Sequence, residues 1–239
     1  MAKILRVNMT DRTATYEELP EKYQHLAGRG LTSTMIYDEV DPTCHPLGPN
    51  NKLVFAPGLM TGTVAPTSGR ISVGGKSPLT GTIKESNAGT KWGQQLAKLG
   101  IKAIVVEGRP EEEGWWGLHV TNDGAEFFDA AEYTDQGLYD MSPSIFERFG
   151  DRVGMMTIGV AGEKKMAMAG LCFNDMENRP SRYSGRGGLG AVAGSKGLKF
   201  IIVDDTDAPG VEVADRDLFD QGRKKMFNAL RSHDITKPK

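Results

Sequence analysis

The sequence GIKAIVVE at residues 100–107 and the sequence GLKFIIVD at residues 197–204 decide the fold, because they match in chemical class position after position. Each ends in an apolar run followed by an acid, which predicts a short buried strand. The same offset lays segment 87–90 beside segment 184–187, so both regions consist of a glycine turn, a short helix and a strand. This pattern favours an internal duplication, and chance recurrence of a common α/β connection is the alternative.

Hydrophobic spacing outward from these segments predicts further short strands and amphipathic helices. The predicted strands are 4–9, 14–19, 52–56, 71–75, 83–85, 117–120, 125–128, 155–160 and 166–173. The predicted helices are 20–38, 92–99, 134–149 (with Ser142-Pro143 as one start), 189–196 and 215–232. Segment 178–183 is polar and contains Pro180, which favours a connection without regular structure.

Composition excludes several classes of function. The net charge is -2, with 29 Lys+Arg against 31 Asp+Glu, so no global field favours nucleic acid or an anionic membrane. The two cysteines, Cys44 and Cys172, are too few for a disulfide framework, a zinc site or an iron–sulfur cluster. No stretch has the length of a signal peptide or of a membrane span. We therefore expect a cytoplasmic protein with no nucleic-acid or membrane partner.

The 30 glycines concentrate at 69–89 and 185–197. Closely spaced glycines expose backbone N–H groups and let an anion approach the main chain. Arg182 and Arg186 flank the second cluster, and a guanidinium group can bind a phosphate or a planar heterocycle in two places. This pattern suits a phosphorylated cofactor, whereas a tight turn with solvated arginines is the alternative.

The first half offers a comparable group. Arg70 precedes a predicted strand, and Asn87-Ala88-Gly89 opens the matching turn. Arg70 could equally be a surface residue at a strand edge, and Asn87 a residue of an Asx turn. If the two halves face each other, two amide-rich turns meet, and this arrangement suits a ligand with two similar anionic ends.

The segment GRGGLG at 185–190 also satisfies the dinucleotide fingerprint G-x-G-x-x-G, with Asp204 and Asp205 at the spacing of a ribose-binding acid. That fingerprint requires a strand that runs directly into the first glycine. Here the polar segment 178–183 intervenes, and the helix that follows is short and rich in glycine. An NAD-binding domain therefore remains a disfavoured alternative.

Nucleophilic catalysis has little support in this sequence. The four histidines are scattered, and neither cysteine lies in a recognisable catalytic motif. We therefore predict no catalytic residue in this chain.

Several motifs resemble those of one protein family and occur in the same order as in that family, from about residue 4 to residue 215. They are ILRVNMTDRTA, AGRGL, NKLVFAPGLMTGTVAPTSGR, KSPLTG, SNAGT, GIKAIVVEG, IGVAGEKKM and SGRGGLGAVAGSKGLK. With these segments the chain resembles the N-terminal domain of the aldehyde:ferredoxin oxidoreductase family.

The resemblance implies an α+β domain of two similar β-rich halves that forms a base for a tungsten or molybdenum bis-pyranopterin (molybdopterin) cofactor. The implied cofactor-binding residues are Arg70, Asn87, Ala88, Gly89, Arg182, Tyr183, Gly185 and Arg186. The resemblance also implies a magnesium ion that bridges the pterin phosphates through the main-chain carbonyls of Asn87 and Tyr183. The chain departs from the family pattern at Tyr183, where a small residue is usual, and in the longer connection at 175–181.

The resemblance further implies that residues 1–213 form the cofactor-binding domain and that residues 214–239 begin a helical segment leading to C-terminal domains. Those domains, or a partner subunit, would carry the [4Fe–4S] cluster. Ferredoxin and an aldehyde or carboxylate substrate are the other implied partners, and a homodimer is allowed. The implied function is part of an oxidoreductase that interconverts aldehydes and carboxylic acids, inactive as this chain alone. A stand-alone pterin-binding or assembly module is the alternative.

Overall fold

The computed structural model describes residues 2–237, and its strands form two six-stranded sheets. The strands are β1 (Lys3–Asn8), β2 (Thr13–Glu18), β3 (Leu53–Pro57), β4 (Arg70–Lys76), β5 (Ile83–Gly89), β6 (Ile101–Glu107), β7 (Trp116–Val120), β8 (Ala125–Asp129), β9 (Gly154–Thr157), β10 (Leu171–Asn174), β11 (Pro180–Ser184) and β12 (Leu198–Val203). The helices are α1 (Gly28–Glu39), α2 (Lys91–Lys98), α3 (Leu138–Phe149), α4 (Val160–Glu163), α5 (Leu189–Ser195) and α6 (Arg216–Ser232).

The two sheets repeat one topology. The first has the order β2-β1-β6-β3-β4-β5, and the second, taken from its other end, has the order β8-β7-β12-β9-β10-β11. In each sheet one neighbouring pair is parallel, β1 with β6 and β7 with β12, and the other pairs are antiparallel. The fold is therefore α+β with two similar β-rich halves, as the family resemblance implies.

The halves pack against each other over one shared core. Trp92 of α2 lies between Phe55 of the first sheet and Phe173 of the second, with ring centroids 5.6 Å from each. Its indole Nε1 donates a hydrogen bond to the main-chain oxygen of Ile201 at 2.9 Å. Because Leu189 of α5 joins the same apolar cluster, the short helices of both halves fill the space between the sheets.

The longer helices α1 and α3 cover the outer faces. On α1, Leu31 and Met35 pack against strand residues of the first sheet, and on α3, Met141 and Ile145 do so against the second. The layers are therefore helix, sheet, shared core, sheet, helix. Within residues 2–237, no helix combines the length and the apolar character needed to cross a membrane.

Some segments differ from the sequence prediction. Residues 87–89 end strand β5 and do not form a turn, and much of the polar segment 178–183 lies in strand β11. Both strands are stabilised by hydrogen bonds to the strand beside them, β4 and β10 respectively, and this pairing outweighs the preference of the local sequence. The first helix begins at Gly28, after a short 3₁₀ turn. Helix α3 contains Pro143 in its interior, so Ser142-Pro143 is not its start.

Two other strands are shorter than predicted. The strand predicted at 155–160 ends at Thr157, and a helical turn, α4, follows it. The strand predicted at 166–173 begins only at Leu171. The predicted helix at 215–232 is confirmed as α6, with Asp215 as its N-cap. The last two residues of segment 214–239 lie outside the described residues.

Candidate functional site

The edge strands β5 and β11 face each other where the two sheets meet. β5 ends the first sheet and β11 ends the second. The backbone N–H of Arg186 donates to Ser86 Oγ at 3.2 Å, and Ser77 Oγ donates to the main-chain oxygen of Gly187 at 2.7 Å. The glycine turn that follows β11 is therefore attached to the first half.

A cavity of about 760 Å³ opens at this junction. Its lining residues are Arg29, Arg70, Ile83, Lys84, Glu85, Ser86, Asn87, Tyr183, Gly185 and Arg186. Five of the residues singled out from the sequence thus lie together: Arg70, Asn87, Tyr183, Gly185 and Arg186. A smaller cavity of about 380 Å³ at the start of α1 shares Arg29, Arg70, Glu85 and Asn87 with it.

The remaining three residues have different positions. Gly89 lies under the Arg70 guanidinium, whose Nη1 is 3.5 Å from the point that a Cβ on Gly89 would occupy. Ala88 is buried, its side chain belongs to the shared core, and it is not among the residues that line the cavity. Arg182 is exposed on β11 and is not among the residues that line the cavity.

The glycine turn needs its glycines for conformation and for space. Gly187 and Gly188 have φ of +82° and +74°, in the left-handed region that favours glycine. A Cβ on Gly187 would lie 2.2 Å from Cγ of Lys84, and a Cβ on Gly188 would lie 2.0 Å from the main-chain oxygen of Ala167. The glycine cluster seen in the sequence therefore allows close packing between the halves at Gly187 and within the second half at Gly188.

The cavity is rich in cations that have no acidic partner. Among residues 2–237, no carboxylate lies within 4.0 Å of the charged nitrogens of Arg70, Lys84 or Arg186. A fourth cation, Arg29, pairs with Glu85, with its Nε 3.2 Å from a carboxylate oxygen. Unpaired cations that converge on one cavity attract an anion with more than one charge.

The main chain of Asn87 faces the open edge. The N–H of Thr90 donates to the main-chain oxygen of Gly69, one residue beyond the Arg70–Gly89 pair. This bond shows which residues of β5 direct their main-chain groups toward β4. In an antiparallel pair, alternate residues direct their N–H and C=O groups away from the partner strand. The carbonyl of Asn87, two residues before Gly89, therefore points away from β4 toward the junction with β11.

Sequence reasoning missed the lining residues Arg29, Ile83, Lys84, Glu85 and Ser86 and the supporting residue Ser72. Period-two alternation along β4 and β5 could have indicated Ser72 and Glu85, because it places them on the same face as Arg70 and Asn87. Lys84 gave no such signal, since its place beside Gly187 depends on how the two halves meet.

Tyr183 is half exposed, and its hydroxyl donates to the main-chain oxygen of Pro180 at 3.2 Å. Burial, followed by the nearby Cys172 thiol, raises the pKa of the Tyr183 phenol to about 12. The phenol is therefore neutral near pH 7 and acts as a hydrogen-bonding and packing group, not as a base.

The dinucleotide alternative fails on topology, although one premise against it was wrong. Strand β11 does run directly into Gly185. However, β11 and β12 are separated by β10 and β9 and are antiparallel to each other, whereas a dinucleotide fold needs adjacent parallel strands there. Within residues 2–237, there is also no group of three His, Cys, Asp or Glu side chains that could hold a metal ion.

Known proteins are similar to this chain over most of its length. The family described as aldehyde ferredoxin oxidoreductase, N-terminal domain, matches residues 4–205. The tungsten-containing aldehyde ferredoxin oxidoreductase of Pyrococcus abyssi is 37% identical over 236 residues, which make up 98% of this chain and 37% of that protein. A Pyrococcus furiosus protein named aliphatic sulfonate oxidoreductase, WOR-like subunit, is 27% identical over 233 residues, covering 90% of this chain and 36% of that protein.

A solved structure has the same fold. The active site complex BamBC of benzoyl coenzyme A reductase, in complex with 1,5-dienoyl-CoA, matches with a TM-score of 0.88 and 26% identity. The match covers 96% of this chain and 34% of that one, so this chain spans little more than a third of the length of its relatives. Because the family match extends over most of the chain and confirms the resemblance seen in its motifs, this chain belongs to the aldehyde ferredoxin oxidoreductase family and contains its N-terminal domain.

Proposed function

We propose that this chain is the cofactor-binding N-terminal part of an oxidoreductase that interconverts aldehydes and carboxylic acids, with ferredoxin as its electron partner. The cofactor is a tungsten or molybdenum bis-pyranopterin. The observation that carries the proposal is the junction of β5 and β11, where Arg70, Lys84 and Arg186 line one cavity without acidic partners. Two similar halves that meet at such a cavity suit a ligand with two similar phosphorylated ends.

The residues divide the binding between side chains and main chain. Arg70 and Arg186 would bind phosphate or pterin groups with their guanidinium edges, and Arg182 would do so from the exposed face of β11. Gly89 and Gly185 would leave room for close approach, and Ala88 would hold Asn87 and Gly89 in place, because its side chain is in the shared core and its main-chain groups are directed toward β4. The carbonyls of Asn87 and Tyr183 would hold a magnesium ion between the phosphates, since magnesium prefers oxygen ligands.

The bound cofactor would supply the redox chemistry through its metal, and the protein would supply binding, orientation and electrostatics. Nothing in this chain needs to act as a nucleophile or as a general acid. The net positive charge of the cavity lining would attract the negatively charged ligand. Ser86 and Ser77 hold the glycine turn in place through hydrogen bonds.

The proposed substrate class follows the more similar relatives. The relative named as an aldehyde oxidoreductase is 37% identical, whereas those named for an aliphatic sulfonate and for benzoyl coenzyme A are 27% and 26% identical. Tyr183, which lines the cavity, and the connection at 175–181, which leads into the same strand, differ from the usual family pattern. These positions are therefore where we expect substrate preference to differ among relatives.

The exposure of helix α6 favours the presence of further domains or of a partner subunit. None of its residues is buried, and Leu218 and Phe227 are 66% and 47% exposed. We propose that residues 1–213 form the domain and that residues 214–239 lead to the part that carries the [4Fe–4S] cluster, the ferredoxin contact and the remaining cofactor contacts. We place the protein in the cytoplasm, where its two thiols, Cys44 and Cys172, stay reduced.

Replacing Arg186 with Ala in the complete enzyme is expected to lower cofactor content at least about tenfold, because a charge-assisted bond to a phosphate or pterin group is lost. Tungsten and molybdenum are measured by mass spectrometry of the purified enzyme, and pterin by fluorescence after oxidation. Arg109, which has no place in the cavity, provides the matched control Arg109→Ala. Normal metal and pterin content in the Arg186 variant would contradict the proposal.

The alternative is a stand-alone pterin-binding or assembly module without catalysis. The discriminating experiment is affinity purification from the native organism, followed by a search for a protein or a continuing polypeptide with a C-x-x-C-x-x-x-C motif. Co-purification of such a segment together with aldehyde-dependent reduction of ferredoxin supports the enzyme. Cofactor-loaded protein without that segment supports the module.

A further inference from the structure

A chain of hydrogen bonds runs along one face of β4 and β5, from Glu85 to Arg70. Ser72 Oγ donates to Glu85 Oε1 at 2.8 Å, Asn87 Nδ2 donates to Ser72 Oγ at 3.1 Å, and Arg70 Nε donates to Asn87 Oδ1. Glu85 is the acid among the cations of the cavity, and its side chain is only 11% exposed. A carboxylate in this position repels an anionic ligand, so its presence requires another explanation.

The order of donors and acceptors gives that explanation. A carboxylate can only accept hydrogen bonds, so Glu85 takes the single proton of Ser72, and Ser72 must then accept from Asn87. This fixes the side-chain amide of Asn87 with its nitrogen toward Ser72 and its oxygen toward Arg70. In the opposite orientation, the amide oxygen would meet an oxygen without a proton, and the amide nitrogen would meet the N–H of Arg70.

The orientation of the amide determines the orientation of the arginine. Asn87 Oδ1 engages Nε of Arg70, and Nη1 lies over Gly89, where no side chain interferes. The terminal nitrogens of the guanidinium group are left for a ligand. Because Arg70 is otherwise exposed and has a long flexible side chain, this anchoring removes much of the entropy that binding would otherwise cost.

We propose that Glu85 is a positioning residue that acts through Ser72 and Asn87 to hold the Arg70 guanidinium toward a phosphate or pterin group in the cavity. The nature of that ligand rests on the proposed function, but the orienting role does not. Arg29 completes the arrangement, because its Nε donates to the other oxygen of Glu85 at 3.2 Å and offsets its charge.

The substitution Glu85→Gln separates positioning from simple electrostatics, because the two predict changes of opposite sign. Gln has nearly the same shape, but it removes a negative charge from an anion site, so electrostatics alone predicts tighter anion binding. Gln can also donate to Ser72, which frees the Ser72 proton for Asn87 and lets the amide turn away from Arg70. The positioning role therefore predicts weaker binding.

The binding experiment uses the 239-residue chain and inorganic pyrophosphate as the probe, in a titration calorimeter. We expect Glu85→Gln to raise the Kd about fivefold to tenfold, the effect of losing one well-placed hydrogen bond. Ser72→Ala, which cuts the chain without changing the charge, is expected to act in the same direction. In an Arg70→Ala background, Glu85→Gln is expected to cause no weakening, since the residue that it orients is absent.

A second measurement tests orientation directly and does not need a ligand. In the wild-type chain, we expect the Nε–H of Arg70 to exchange slowly with water in nitrogen-15 NMR spectra, because it is hydrogen-bonded to Asn87. Glu85→Gln and Ser72→Ala should accelerate that exchange at least about tenfold. Arg29→Gln is the matched control, since it removes a cation beside Glu85 but leaves the chain of hydrogen bonds intact.

The outcomes distinguish the inference from the proposed function. Tighter pyrophosphate binding by Glu85→Gln, or unchanged exchange of the Arg70 Nε–H, overturns the positioning role. If the wild-type chain does not bind pyrophosphate, the proposed function loses its main support, and the exchange measurement alone then decides the inference. Circular dichroism checks the fold of each variant, and Glu85→Gln decides the result if Ser72→Ala does not fold.

Discussion

Lys196 is a fully buried charged residue that connects the two halves. It follows helix α5 in the second half, and its Nζ donates to main-chain oxygens of the first half, to that of Asn51 and, at 3.0 Å, to that of Gly108. Burial lowers the pKa of Lys196 from 10.5 to about 7. The amine can therefore lose its proton near neutral pH and still donate two hydrogen bonds as a neutral group.

This lowered pKa predicts a pH-dependent stability. Below about pH 7 the lysine is charged in both the folded and the unfolded chain, and above about pH 10.5 it is neutral in both. Between these values the unfolded chain binds more protons, so the free energy of unfolding rises with pH by up to about 1.4 kcal/mol per pH unit. Urea unfolding of the wild type and of Lys196→Met at pH 7 and pH 9 measures this slope. A wild-type slope equal to that of the variant would contradict the assignment.

Gly188 and Gly81 form a matched pair for testing the glycine turn. Both have positive φ, +74° and +73°, but a Cβ on Gly188 would lie 2.0 Å from a main-chain oxygen, whereas Gly81 has open space around it. Gly81→Ala is expected to cost about 1 kcal/mol from backbone strain alone, and Gly188→Ala at least about 2 kcal/mol more. Chemical unfolding of both variants provides the comparison, and equal costs would show that the close approach is unimportant.

At the scale of elements, the start of α2 links a strand, a helix and the opposite sheet. Thr90 follows β5, and its Oγ1 accepts from the N–H of Trp92 at 3.1 Å and donates to the main-chain oxygen of Asn174 at 3.0 Å. The cap of α6 differs, because Asp215 accepts from the N–H of Leu218 on a helix with no buried residue. A side-chain N-cap is therefore found both on α2, which packs in the core, and on α6, which has no buried residue.

We therefore expect Thr90→Ala to lower the free energy of unfolding by about 2 kcal/mol, because it loses the cap and leaves a buried carbonyl without a partner. Asp215→Ala is expected to reduce helicity by circular dichroism with little change in the unfolding midpoint, since α6 contributes little to the core. If both variants shift the midpoint equally, α6 is more firmly packed than its exposure indicates.

At the scale of the whole molecule, the shared core makes the two halves depend on each other. Trp92 contacts Phe55 in one sheet and Phe173 in the other, and it also bonds to the main chain of β12. Its removal therefore opens a cavity that borders both halves. The repeat of topology does not make two independent folding units.

Trp92→Ala is expected to destabilise the protein by about 3–5 kcal/mol, the usual cost of removing a large buried aromatic side chain. Amide hydrogen exchange should accelerate to a similar extent in β3 and in β10, because both sheets lose packing together. Leu218→Ala on α6 is the control and should leave both unchanged. Acceleration confined to the first sheet would indicate that the halves unfold separately.

Local pattern was sufficient to predict much of the fold. The two apolar runs after Gly100 and Gly197 predicted β6 and β12, and the apolar spacing around Trp92 predicted α2, because these signals depend on neighbours in sequence. The glycine and arginine clusters indicated where an anion site could form. Collinear motifs identified the family, which the family match over residues 4–205 confirms.

Only the tertiary structure decided the details of the site. Asn87 and Tyr183 lie on strands because β5 pairs with β4 and β11 pairs with β10, although the polar and glycine-containing sequences around them have little strand preference of their own. Lys84 and Glu85 enter the cavity because the two sheets meet at those edges. The sequence by itself determined the repeated elements and the chemistry available to them, whereas packing between the halves decided which side chains face one ligand, since those contacts join residues far apart in the chain.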